Sequence, residues 1–254
     1  MKNTGLVTGA PCWVELSTSD TQAATAFYGT VFGWRAEVDP RPEAGGYATF
    51  SLGEAPVAGL VQRPDPEQPT AWTISFAVHG ADETAAAVTE AGGSALMEPM
   101  DVLDLGRFAI LADPSGAVFS IWQAREFAGA GLINEPGSLG WAELQTRDPV
   151  GSVAFYHRVF GWSITHGEMY TQFGLEGADF GGMAVMGEQF PPEVPPHWLP
   201  YFSVADVDAT VSAAATAGAE VLMPPTAMPE GPRIAVLRDP QGAVFGVYLA
   251  GSET

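Results

Sequence analysis

Two glutamates recur in one setting, Glu15 in W-V-E-L (Trp13 to Leu16) and Glu143 in W-A-E-L (Trp141 to Leu144). A carboxylate repeated on an alternating apolar segment is a candidate general base, or an anchor for a polar or cationic ligand group. Buried alone, it would cost desolvation free energy. The competing reading is a structural carboxylate bonded to Arg107 or Arg233, which also recur, or to a neighbouring strand. His197, in P-P-H-W at the mouth of a strand, is the third candidate catalytic group, whereas His79, His157 and His166 read as surface residues. Trp13, Trp141, Trp122, Tyr201 and Tyr248 offer flat faces for stacking on an apolar or aromatic ligand, or else fill the space they line. Thr73, Ser75 and Ser120 add hydroxyls. Cys12 is the only cysteine, which excludes an intrachain disulfide and a cysteine-based zinc site. There is no phosphate-cradling glycine loop, nucleophile elbow or dinucleotide fingerprint.

Bulk composition narrows the partners. The 254 residues carry 30 acidic and 10 basic side chains, a formal charge of −20. That field repels a phosphate backbone and an anionic bilayer, so the expectation is a small-molecule ligand, with no nucleic acid and no membrane partner. A hydrophobic fraction of 46% and a mean hydropathy of +0.10 fit a folded globular chain. Residues Met1 to Pro11 lack a charged n-region followed by an apolar run, and a cytoplasmic monomer or homodimer is the default expectation.

The elements that must position these residues come from a duplication. Trp13 and Trp141 are 128 residues apart, as are Trp34 and Trp162, and V-F-G-W at Val31 to Trp34 returns intact at Val159 to Trp162. Further along, the offset becomes 126: Trp72 matches Trp198, Asp113-Pro114 matches Asp239-Pro240, and G-A-V-F at Gly116 to Phe119 returns at Gly242 to Phe245. The division is 1–124 for the first copy, a Gly- and Pro-containing linker over 125–139, and 140–254 for the second.

Within one copy the patterns predict strand Cys12–Thr18, a helix over Thr21–Phe32 capped by Ser19-Asp20 and stopped at Gly33, a strand at Trp34–Val38, and a hairpin over Tyr47–Val61. A second round follows: strand Trp72–Val78, helix Asp82–Ala91, a strand near Leu96, and strands at Gly106–Leu111 and Ala117–Gln123. The fold class is α+β, two tandem copies, each a pair of βαβββ units whose curved sheet has one face under helices and the other free as a cup. Period-two alternation places Val14, Leu16, Ile74, Phe76, Phe119 and Ile121 toward the helices. Trp13, Glu15, Ser17, Thr73, Ser75, Ser120 and Trp122 then face the first cup. Trp141, Glu143, Gln145, Leu199, Tyr201, Gly246 and Tyr248 face the second. The loops Asp39–Gly46, Arg63–Pro69 and Gln189–Pro196 are lids or stiff connections.

The F-Y-x-x-V-F-G-W run after an Asp-capped strand, and D-P-x-G-A-V-F leading into the last strand, closely resemble the glyoxalase/bleomycin-resistance/dioxygenase superfamily, the vicinal oxygen chelate fold. The tandem form is similar to actinobacterial proteins labelled glyoxalase-like. The resemblance implies a metal bound by His, Glu or Gln at Trp13, Thr73 and Ser120 and at Trp141, Leu199 and Gly246. None of the six is such a residue, so no metal ligand and no cofactor is predicted. A displaced divalent site using Glu15, Glu143 and His197 is the alternative. Three functions stay open. The first is binding or transforming a small apolar or aromatic metabolite in a cup without the family's ligands. The second is a metal-dependent lyase, isomerase, or dioxygenase- or hydroxylase-type tailoring enzyme. The third is a structural or partner-binding pair with filled cups.

Overall fold

The computed structural model describes residues 7–167, 170–188, 190–229 and 231–249. Met1 to Leu6 and Gln189, which entered the terminus and loop expectations, lie outside them. The first half runs β1 (Pro11–Thr18), α1 (Thr21–Phe32), β2 (Arg35–Val38), β3 (Ala48–Leu52), β4 (Ala55–Gln62), β5 (Ala71–Ala77), α2 (Ala81–Glu90), β6 (Ser94–Val102), β7 (Gly106–Ala112) and β8 (Val118–Ala124). The second half repeats it: β9 (Leu139–Thr146), α3 (Pro149–Phe160), β10 (Ser163–His166), β11 (Thr171–Leu175), β12 (Ala178–Val185), β13 (His197–Val204), α4 (Val207–Thr216), β14 (Glu220–Ala227), β15 (Arg233–Arg238) and β16 (Val244–Leu249). Helix α1 begins where Asp20 Oδ1 accepts the Ala23 N–H at 2.9 Å. It ends at Gly33, whose φ of 73° is the left-handed stop expected there.

Each half is one eight-stranded sheet, ordered β2-β3-β4-β1-β5-β8-β7-β6 and β10-β11-β12-β9-β13-β16-β15-β14. The two first strands of each half's units lie antiparallel at the centre, β1 on β5 and β9 on β13, with a parallel neighbour outside each. The alternation holds along them. Val14, Leu16, Ile74, Phe76, Phe119 and Ile121 are wholly buried on one face, and the cup residues occupy the other.

A single apolar cluster runs through both halves. The helix-side face of β5 meets that of β13 directly. Trp72 and Phe202 rings lie 5.2 Å apart, and so do Phe76 and Trp198. The physical reason lies in the signature motifs, which reach across. Tyr28 of α1 donates its hydroxyl to Asp239 Oδ2 of the other half at 2.9 Å and accepts from Trp72 Nε1 at 3.0 Å. Reciprocally, Tyr156 of α3 donates to Asp113 Oδ2 at 3.1 Å and accepts from Trp198 Nε1 at 2.9 Å. The other oxygen of each aspartate holds its own turn, Asp113 Oδ1 accepting from Ser115 and Ala117 N–H and Asp239 Oδ1 from Gln241, Gly242 and Ala243 N–H. Trp34 Nε1 donates to the Gly137 carbonyl and Trp162 Nε1 to the Gly9 carbonyl, both at 2.8 Å.

Because both partners are buried, removing the hydroxyl leaves a carboxylate oxygen and an indole N–H unsatisfied. Tyr28→Phe and Tyr156→Phe are each expected to lower unfolding free energy by about 2 kcal/mol. Urea unfolding followed by tryptophan fluorescence measures this, and a loss under about 0.5 kcal/mol for both would contradict it.

Candidate functional site

The cup faces are organised by the same central strands. In the register of β1 on β5, Glu15 lies opposite Thr73 and Trp13 opposite Ser75. In β9 on β13, Glu143 lies opposite Leu199, Trp141 opposite Tyr201 and Gln145 opposite His197. Directly opposed residues share a face with their side chains in reach of one another. In the neighbouring parallel pairs Ser120 lies beside Ser75 through β8 and Gly246 beside Tyr201 through β16.

Each glutamate is held by a tyrosine that sequence reasoning missed. Trp13 Nε1 donates to Tyr47 Oη at 3.1 Å, and Tyr47 in turn hydrogen-bonds Glu15. Trp141 Nε1 donates to Tyr170 Oη at 2.8 Å, and Tyr170 hydrogen-bonds Glu143. A Trp–Tyr–Glu chain is thus built twice. Both tyrosines sit just ahead of a strand, β3 and β11, one residue outside it even where the expected hairpin began at Tyr47. Their recurrence at the same place in each copy was the available signal. Each ring is seated over a glycine, Tyr47 on Gly59 and Tyr170 on Gly182, and a Cβ at either glycine would collide with the ring. Glu143 has two more partners, Tyr201, whose hydroxyl donates at 3.2 Å, and Gln145, whose amide N–H donates to the same oxygen. Burial pushes both carboxyls above their ordinary range, and the tyrosine hydrogen bonds pull the other way.

The arginines proposed as structural partners of these glutamates are elsewhere. Arg107 pairs with Asp82 of α2 and Asp101 of β6, and Arg233 with Asp208 of α4, all exposed aspartates. Helices α2 and α4 each present a first-turn carboxylate to the adjacent strand. Cys12 is buried with Trp13, Ala77 and Ala130, and its thiol donates to the Ser75 carbonyl. Burial pushes that thiol well above its usual value. His79, His157 and His166 are exposed, as expected, and His157 Nδ1 is engaged with the Trp162 carbonyl at 2.8 Å.

The two cups differ in filling. In the first, Phe127 lies edge-on against Trp13 with centroids 4.9 Å apart, and Trp122 Nε1 donates to the Phe127 carbonyl at 2.9 Å. A residue just after β8 therefore covers the aromatic floor, and Trp13 is 6% exposed. In the second, Tyr201 lies over Gly246 and Trp141 is only half-buried. A cavity of about 190 Å³ touches Trp141 but is otherwise lined by residues such as Val7, Cys12, Leu175 and Phe180, and by none of Glu143, Gln145, His197, Leu199 or Tyr201. A larger cleft, about 480 Å³, lies away from both cups, between the start of α2 and the end of α3.

The model of the Glyoxalase/Bleomycin resistance protein/Dioxygenase superfamily matches residues 12–121 and again 138–247. The chain belongs to this superfamily. It is 40% identical over 248 residues to the "Putative glyoxylase CFP32" of Mycobacterium tuberculosis, covering 94% of each chain. It is 39% identical over 261 residues to the anthracycline biosynthesis protein DnrV of Streptomyces peucetius, covering 94% of this chain and 92% of that one. Among solved structures, the Mn(II)-bound glyoxalase of Novosphingobium aromaticivorans superposes with a TM-score of 0.67 at 18% identity, over 96% of this chain and 82% of that one. That likeness shows the fold.

The superfamily's fold raises the question of a metal, and the residues decide it. The six inward positions that the resemblance marks hold two indoles, two hydroxyls, an isobutyl group and a glycine, none of them the His, Glu or Gln that the resemblance implies. Among the described residues, no group of three or more His, Cys, Asp or Glu comes together where an ion could be held. Glu15 and Glu143 lie in different sheets, each committed to its tyrosine. The donor set does not fit a divalent ion.

A carboxyl whose folded-state affinity for a proton is raised stabilises the fold at acid pH and loses that contribution as pH rises through the folded value. Glu143→Gln, which keeps an acceptor without the charge, is therefore expected to gain stability relative to wild type between about pH 5 and about pH 8. Paired urea unfolding at the two pH values checks the sign. A variant that loses ground to wild type as pH rises would contradict it.

Proposed function

We propose that this glyoxalase-like protein binds or transforms a small apolar or aromatic metabolite in a cup that lacks the superfamily's metal ligands, and that the second cup is the one in use. The observation that carries the reading is the setting of Glu143. It is a carboxyl 9% exposed, bonded by two tyrosines and an amide, in a floor of Trp141, Leu199 and Tyr201. Aromatic faces around one oriented polar group are what a ligand site of this kind needs. Glu143 in its protonated form is a hydrogen-bond donor or general acid, and when ionised a base. Glu15 is its counterpart in the first cup, where Phe127 crowds the floor.

In this reading Glu15, Glu143 and His197 are the polar contacts. Trp13, Trp141, Trp122, Thr73, Ser75, Ser120, Tyr201 and Tyr248 line the two cups. The division 1–124, 125–139 and 140–254, a monomer or homodimer, and a cytoplasmic site of action belong to the same proposal. No helix among the described residues is long and apolar enough to cross a membrane. Two relatives, at 38% and 39% identity, are named as anthracycline biosynthesis proteins. Anthracyclines are flat polycyclic compounds, and a ring-lined cup suits that class.

Titration with a flat aromatic probe, 2-naphthol, followed by tryptophan fluorescence in excess EDTA, tests this. The expected result is saturable one-to-one binding unchanged by the chelator, weakened about tenfold in Trp141→Leu. Binding lost to EDTA and restored by Mn(II) would instead favour the displaced-metal alternative, and no saturable binding would favour filled cups. If Glu143→Gln changes melting temperature but neither affinity nor any turnover, the glutamate is structural.

A further inference from the structure

The polar side of the second cup has an acceptor that the protein leaves unused. Gln145 is 7% exposed, and its amide N–H is committed to Glu143 Oε1. That commitment turns Gln145 Oε1 the other way, and this oxygen, fully enclosed, has no hydrogen-bond partner among the described residues. Buried acceptors are nearly always paired, and an unpaired one costs about 1–3 kcal/mol. Beside it, directly across the β9–β13 ladder, stands His197. Its Nδ1 lies 2.9 Å from the Pro195 carbonyl, a contact only an N–H can make favourably, so in the neutral ring Nε2 carries the lone pair. Burial pushes the imidazole below its usual value and Arg147 adds to the effect, while the bond to Pro195 opposes it. Two acceptors, one amide oxygen and one ring nitrogen, are thus carried by directly opposed residues of β9 and β13.

The first cup has no such pair. The equivalents of Gln145 and His197 there are Ser17 and Ala71, which face each other across β1 and β5. Glu143 is the inner end of the polar row and the aromatic floor begins next to it.

We infer that Gln145 Oε1, with His197 Nε2 beside it, is a specificity element that takes a hydrogen-bond donor, a hydroxyl or amino group, carried by the aromatic ligand of the second cup. The inference rests on the proposed ligand-binding reading and adds to it which ligands are chosen. A site built around an unpaired acceptor discriminates strongly, because an analogue lacking the donor leaves the acceptor buried and unsatisfied. The ligand's ring then lies toward Tyr201 and Trp141, and its donor toward Gln145.

The experiment compares 2-naphthol with 2-methoxynaphthalene, which keeps the ring system and removes the donor. Wild type is expected to bind 2-naphthol about tenfold more tightly. Gln145→Leu is expected to equalise the two probes while retaining 2-methoxynaphthalene binding. Gln145→Met, which matches the glutamine in length without the carbonyl, serves if the leucine variant fails to fold. His197→Phe should reduce the preference in the same direction. Ser17→Ala, at the matching place in the first cup, should leave the preference at its wild-type value. Equal binding of both probes to wild type overturns the inference while the ligand-binding reading survives. So does a preference that persists in the Gln145 variants, or one lost in Ser17→Ala. If neither probe binds, the reading itself fails and the inference with it.

Discussion

Two reciprocal hydrogen bonds, Tyr28 to Asp239 and Tyr156 to Asp113, tie each copy's first helix to the other copy's last turn. Each tyrosine also receives an indole N–H, from Trp72 or Trp198, and each aspartate also fixes its own turn with its second oxygen. These groups are buried in the apolar seam between the sheets, so any one left without its partner carries a desolvation cost. The rest follows from that geometry. With the helix-side faces of β5 and β13 pressed together, the cups must open outward, one on each side of the molecule. The residues most faithfully repeated between copies are therefore the ones that make the seam.

The cups follow a different rule. Their shared element is the Trp–Tyr–Glu chain, with each tyrosine seated over a glycine of the adjoining strand. Beyond that chain they diverge. Thr73, Ser75 and Ser120 give the first cup small polar groups under Phe127, while Leu199, Tyr201, Gln145 and His197 give the second a bulky floor with a polar rim. Among the described residues, no ligand set for a divalent ion comes together in either. The carboxyls are instead bonded by hydroxyl donors while burial raises their affinity for a proton, so the cups set hydrogen-bonding groups beside flat apolar surface.

Much of this was readable in the sequence because its signals are local and periodic. Strand alternation alone put Val14 and Leu16 on one face and Trp13 and Glu15 on the other, and the cap at Asp20 and stop at Gly33 bounded α1. What escaped depended on the third dimension. Tyr47 opened an expected hairpin and Tyr170 lies just before β11, and only the folded chain brings either one to a cup glutamate. Arg107 and Arg233 each pair with a helix aspartate 25 positions away, Arg107 with Asp101 as well, rather than with cup glutamates. The pairing of Gln145 with His197 needs the β9–β13 register, and that register is set by tertiary packing. The seam was hidden for a deeper reason. The F-Y and D-P motifs look like signatures of a self-contained copy, and nothing in their spacing says that each completes the other copy.

That last point is the most exposed to test. Because one copy contains both Tyr28 and Asp113, residues 1–124 hold both halves of the clasp and can make it only with a second molecule. Sedimentation velocity of this fragment, read alongside near-ultraviolet circular dichroism, is the direct measurement. A folded dimer, or an unfolded monomer, is the result the reciprocal clasp predicts. A folded monomer with a cooperative unfolding transition would show that each copy completes its own core, and would contradict it.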